Sequence, residues 1–170
     1  MTENQSAIRW DKDADGIVTL IIDDPTANAN TMNELFGESM LEAVTRLESE
    51  KDDITGVVIA SGKKTFFAGG NLNDLLAVTK DQAGEIYQKS QDIKSLLRRL
   101  ETLGKPVVSA INGAALGGGL EICLATHHRI AVDGRYEIGL PEVTLGLLPG
   151  GGGVTRITRL LGVQDGLMNV

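Results

Sequence analysis

Apolar and polar positions along the chain fall into continuous apolar runs and helically spaced stripes, and the switches between them mark the elements. Ile17-Val18-Thr19-Leu20-Ile21-Ile22 is β-branched and apolar and stops at Asp23-Asp24-Pro25, which predicts a strand. After a loop over 26–31, the residues Met32, Leu35, Phe36, Met40, Ala43, Val44 and Leu47 fall at helical spacing, so a helix over 32–50 shows one apolar stripe. Gly56-Val57-Val58-Ile59-Ala60-Ser61 is short and continuously apolar, as a strand covered on both faces must be. Past a loop over 62–74, a second helical stripe ends in Ile93, Leu96, Leu97 and Leu100 and is stopped by Gly104 and Pro106. Val107-Val108-Ser109-Ala110-Ile111 is the next buried strand, a glycine-rich turn and a helix follow it, and Arg129-Ile130-Ala131-Val132 is strand-like again. Val163 to Val170 reads as the opening of a further amphipathic helix.

Strands that alternate with helices predict an α/β domain with a mainly parallel sheet and right-handed crossovers. In such sheets, sites form beyond the C-terminal ends of strands. The turns after Ser61 and after Ile111 therefore reach the same sheet edge, where two backbone N–H groups can approach one oxygen atom.

The second of these turns carries the chemistry. Asn112-Gly113-Ala114-Ala115-Leu116-Gly117-Gly118-Gly119-Leu120-Glu121 is a run of small residues that ends in one carboxylate where a helix begins. N–H groups at a helix start lack internal partners and can hold negative charge. Glycines let a ligand approach them closely. A second carboxylate, Glu142, follows in Leu140-Pro141-Glu142, ahead of the glycine run Gly150 to Gly153. An anion-stabilising backbone flanked by two carboxylates describes enolate chemistry, in which charge grows on a carbonyl oxygen while protons move nearby. Each feature also has a plainer reading: the glycines as tight turn and close packing, Glu121 as an ordinary solvated helix residue.

Other chemistries find less support. Neither glycine turn has the spacing of a phosphate loop, and Gly117-Gly118-Gly119 does not give the dinucleotide fingerprint. The 170 residues, 42% hydrophobic and 23% charged, suit one domain with a real core spanning 1–170. A formal charge of −7 argues against a nucleic-acid partner. Contacts to a polyanionic ligand must then come from local groups, with Lys63, Lys64 and Lys105 as candidates beside the plainer reading of surface lysines. The one cysteine, Cys123, excludes an internal disulfide and sits in an apolar helix segment as a small core residue. The adjacent His127 and His128 are poorly placed for joint chelation, so no metal site is expected. No Arg-rich or apolar leader opens the sequence and no apolar run approaches a bilayer span, which points to a cytoplasmic location.

From about Gly56 to Gly162 the sequence resembles the crotonase superfamily of enoyl-CoA hydratases and isomerases. Thr65-Phe66-Phe67-Ala68-Gly69-Gly70-Asn71-Leu72 is similar to that family's first signature, Asn112 to Glu121 to its second, and Leu140-Pro141-Glu142 with Gly150 to Gly153 to its third. Glu101 to Pro106 and Thr144 to Arg156 look most like the hydratase part of multifunctional fatty-acid β-oxidation α-subunits. The resemblance implies a crotonase-like (ββα) superhelix core that ends short of the family's full length. It implies hydration of 2-enoyl-CoA to 3-hydroxyacyl-CoA, with Gly70 and Gly118 N–H as oxyanion hole and Glu121 and Glu142 holding a water between them. Phe67, Ala68, Gly69 and Gly117 would line the substrate, the Ala68 carbonyl facing the adenine of coenzyme A. No separate cofactor is implied, since coenzyme A is part of the substrate. A homo-oligomer in the full-length form, with a thiolase subunit as partner, is implied as well. Asn71 departs from the aspartate usual at its position and puts the local loop hydrogen bonding in question. The alternatives that remain open are enoyl-CoA isomerisation and a truncated, non-catalytic module that binds CoA thioesters.

Overall fold

A computed structural model describes residues 5–70 and 76–168. The expectation about Asn71 falls outside those residues. Five strands form the main sheet in the order β1-β2-β3-β4-β6: β1 (Ile8–Lys12), β2 (Ile17–Ile22), β3 (Gly56–Ser61), β4 (Val107–Ile111) and β6 (His128–Ala131). Only the β1–β2 pair is antiparallel; β2–β3, β3–β4 and β4–β6 are parallel. A second sheet pairs β5 (Ala115–Leu116) with β7 (Ile138–Gly139), also in parallel. The α/β architecture with a mainly parallel sheet is thus as the sequence predicts.

Helix α1 (Glu34–Ser49) and helix α2 (Ala83–Glu101) bury their stripes as expected, through Phe36, Met40, Ala43, Val44 and Leu47 on one and Leu96, Leu97 and Leu100 on the other. Helix α1 starts two residues later than its apolar stripe. Met32 is drawn into a backbone bridge with Gly70, and the side chain of Asn33 caps the helix by accepting the Phe36 N–H at 2.8 Å. Strand β1 escaped the sequence pattern because its burial is that of an edge: only Ile8 of its five residues is buried. Trp10 on that strand is covered by the Arg46 guanidinium, 4.1 Å from the ring centroid.

The helix after the glycine turn, α3 (Gly118–Leu124), is buried along its whole length. By contrast α4 (Gly153–Leu161) buries only Gly153 and exposes Val154, Leu160 and Leu161, and α5 (Val163–Met168) follows it directly.

Candidate active site

Two loops come together beyond the C-terminal ends of β3 and β4. The loop after β3 is pinned from below by Asn30, which is 1% exposed. Its amide Nδ2 donates to the Ile22 carbonyl and to Ser61 Oγ, its Oδ1 accepts the Asp24 N–H, and its carbonyl accepts the Ala68 N–H. Burial pushes the neighbouring Asp24 carboxyl up, but hydrogen bonds from Thr26 and Asn33 more than offset this and hold it below the usual range. The pinned loop then zips onto the turn after β4. Phe66 and Phe67 N–H donate to the Ala114 carbonyl, and Leu116 N–H donates to the Phe67 carbonyl, each at 3.0 Å.

This zipper sets Gly69 against Gly117. Both have a positive φ, 92° and 53°. A Cβ on Gly117 would lie 3.7 Å from the Gly69 Cα and 2.9 Å from Glu142 Oε1, so any side chain there displaces the carboxylate. The next residue of each loop, Gly70 and Gly118, offers an N–H with no acceptor among the described residues. At Gly118 this follows from its place at the head of α3, where a helix has no internal acceptor for its first N–H groups. The Ala68 carbonyl likewise has no donor among the described residues.

Glu121, one turn into α3, is not the solvated residue of the plainer reading: it is 3% exposed. Its carboxylate is held by the third glycine run. Gly151 N–H donates to both oxygens, at 2.7 and 2.8 Å, and Gly153 N–H donates to Oε1 at 2.7 Å. Gly153 is the first residue of α4, so the carboxylate meets the positive end of that helix. Oε2 keeps free acceptor capacity. The glycine run is itself braced: Ser90 Oγ donates to the Gly150 carbonyl at 3.0 Å, and Arg156 Nη1 to the Gly151 carbonyl at 2.9 Å. Glu101 holds Arg156 in turn, at 3.4 Å, and Arg98 at 2.8 Å. Burial pushes the Glu101 carboxyl up, but these two arginines overcome it and bring it below the usual carboxylate range.

Glu142 sits in the 3₁₀ turn Pro141–Leu145, begun by the proline and closed by Gly146 in the left-handed region. Its Oε2 is buried without a partner among the described residues. Burial pushes its carboxyl above the usual range; its own backbone N–H opposes this, and the charge of Glu121 adds to the rise. One carboxylate is therefore fastened by backbone donors, and its neighbour is raised and free to exchange a proton.

The structure places three further residues that the sequence singled out. The Phe67 ring is fully buried and meets Phe36 edge-on at 4.9 Å, so its side chain has no face toward a ligand; it shapes the site through its backbone. Lys105 precedes β4, at the end of the strand opposite the glycine turn. Lys63 is engaged by Asp23 at 3.0 Å. Cys123 is a core residue as expected, its thiol pushed up to about 12 by burial. Asn30 lies in no motif, and Glu101 and Arg156 stood in the sequence only as ends of segments that carry the resemblance, not as braces of the glycine run. Gly151 and Gly153 were visible as a run, but not as donors to a residue 30 and 32 positions earlier.

Comparison with known proteins gives the family and the fold. The family model for enoyl-CoA hydratase/isomerase matches residues 12–166. The chain belongs to this family. It is 43% identical over 155 residues to a fatty acid oxidation complex subunit alpha of Idiomarina loihiensis, covering 90% of this chain and 22% of that protein. It is 39% identical over 167 residues to the corresponding subunit of Aliivibrio fischeri, covering 97% of this chain and 24% of the relative. This member of the family thus spans about a quarter or less of the length of these relatives. Among solved structures, enoyl-CoA hydratase from Bacillus anthracis superposes with a TM-score of 0.86 at 29% identity, over 97% of this chain and 62% of that one. An enoyl-CoA hydratase from Polaromonas gives 0.86 at 26%, over 97% and 63%. The hydratase/isomerase fold seen here is therefore crotonase-like. Among the described residues, no helix is long and apolar enough to cross a membrane, and no three His, Cys, Asp or Glu gather as a metal site.

Proposed function

We propose that this chain adds water across the double bond of 2-enoyl-CoA thioesters, giving 3-hydroxyacyl-CoA. The observation that carries this reading is the pairing of a backbone-fastened Glu121 with a raised Glu142, whose Oε2 has no partner among the described residues, beside the Gly69–Gly117 junction. In the proposed reaction the thioester carbonyl accepts the Gly70 and Gly118 N–H groups, which stabilise the enolate charge as it forms. A lost donor of this kind typically costs on the order of 3 kcal/mol of barrier. Water lies between the two carboxylates. One takes its proton as the oxygen attacks the β-carbon, and the other, protonated, delivers a proton to the α-carbon. The raised Glu142 suits the second part, because a carboxyl poised nearer neutrality both holds and gives up a proton. The open Ala68 carbonyl is assigned to the adenine of the substrate's coenzyme A.

The relatives named as fatty acid oxidation complex subunits support a place in fatty-acid β-oxidation. The same reading includes a cytoplasmic location and, for the full-length form, a homo-oligomer with a thiolase subunit as a further partner. Residues 1–170 act as one domain, without metal and without a nucleic-acid partner. Isomerisation of 3-enoyl thioesters is the second reading. It draws on the same site and is favoured by the asymmetry of the pair, since one mobile proton carrier suffices for a double-bond shift.

Loss of enoyl-thioester absorbance with crotonyl-CoA tests the proposal, with folding followed by circular dichroism. Turnover that drops about 10²-fold or more in Glu121→Gln and in Glu142→Gln, with KM nearly unchanged, is the expected result. A folded chain that is inert to crotonyl-CoA but converts a 3-enoyl thioester would establish the isomerase instead.

A further inference from the structure

A cleft between α2, α4 and the end of α3 carries charge opposite to that of the protein as a whole. The chain has a formal charge of −7, yet Lys94, Arg98, Arg129, Arg156 and Arg159 line this one cleft against the single carboxylate of Glu101. Its volume is about 430 Å³. Lys94 and Arg98 stand four residues apart on α2, and Arg156 and Arg159 three apart on α4, so each helix turns two cations to the same side. Like charges at this spacing repel and destabilise their helix.

Internal partners account for part of the charge only. Arg98 and Arg156 share the one carboxylate of Glu101, and Arg129 Nη1 donates to the Cys123 and Thr126 carbonyls. Lys94 and Arg159 have neither an ion pair nor a hydrogen bond among the described residues. The Arg156 Nε N–H, at the cleft wall, is buried with no acceptor. A buried donor left open costs free energy, which an acceptor from outside would recover.

We propose that this cleft binds a small phosphate-bearing anion. Guanidinium groups match phosphate oxygens in bidentate fashion, and a lysine adds a compact charge beside them. A singly charged carboxylate would leave most of the cations unneutralised, whereas a phosphate or diphosphate group engages several at once. The cleft shares Gly151 with the Glu121 cradle, but neither Glu121 nor Glu142 lines it.

Thermal unfolding and isothermal titration of the chain with sodium pyrophosphate, against sodium chloride at equal ionic strength, test this. Pyrophosphate should raise Tm by a few degrees and saturate, as a ligand that prefers the folded state must. Lys94→Gln and Arg159→Gln, made singly, should each weaken binding several-fold, whereas the solvent-exposed controls Lys12→Gln and Lys80→Gln should not. AMP as a second probe separates sources: a response to both ligands indicates a phosphorylated organic molecule, and a response to pyrophosphate alone indicates the inorganic anion. No shift beyond chloride, an equal loss in cleft and control variants, or competition between pyrophosphate and crotonyl-CoA would each overturn the proposal.

Discussion

Glu121 Oε1 and the Gly153 N–H meet at 2.7 Å across 32 residues of sequence, and this contact ties helix α3 to the head of α4. It requires that Gly153 have no side chain. A Cβ there would stand 2.9 Å from Glu121 Cγ, 2.9 Å from Leu140 Cδ1 and 3.0 Å from Glu121 Oε1.

Gly153→Ala is therefore expected to push the carboxylate off its donors. Overpacking of this kind costs about 1–3 kcal/mol of stability, and a displaced acid–base group forfeits much of its roughly 10²–10⁴-fold contribution. Urea unfolding and crotonyl-CoA kinetics should show a lowered midpoint with kcat reduced far more than KM is raised. Unchanged kcat in a folded variant would show that the Glu121 cradle is not needed for turnover.

Glu142 sets an expected pH dependence. Its folded-state carboxyl lies above the usual carboxylate range, chiefly through burial. Between its unfolded and folded values the native state binds more protons than the unfolded state, so stability falls as pH rises through that window. Glu142→Gln should remove that fall, as seen in unfolding midpoints across the acid range. In Glu121→Gln, the neighbouring charge is gone, and the Glu142 carboxyl carbon should titrate lower by NMR, though still above its ordinary value because burial persists. No movement in that titration would separate the two groups electrically.

Arg156 acts at one remove, through the Gly151 carbonyl and Glu101. It is a positioning residue. Arg156→Ala leaves the half-buried Glu101 carboxylate with Arg98 alone and the Gly151 carbonyl without its side-chain donor, and should destabilise the fold by about 1–3 kcal/mol. Arg156→Lys keeps the charge but not the fork, so it should recover stability better than kcat. A shifted pH–rate profile in the lysine variant would report a moved Glu121, which a purely structural arginine would not produce.

Continuous apolar, β-branched runs marked the strands at Ile17–Ile22, Gly56–Ser61 and Val107–Ile111, because a strand covered on both faces is apolar throughout, and the 3.6-residue period of a buried helix face marked the stripes of α1 and α2. These patterns missed β1, whose partner supplies the order that its own mixed residues lack. The placement of glutamates and glycine runs, and their likeness to a known family, marked the site without showing its geometry. Only the tertiary structure decided that Glu121 is buried and fastened while Glu142 Oε2 has no partner among the described residues, that Phe67 faces the core, and that Asn30, Arg156 and Glu101 hold the loops. Those facts depend on distances between residues far apart in sequence, which no local pattern encodes: the same glutamate is solvated or buried according to what the chain folds over it.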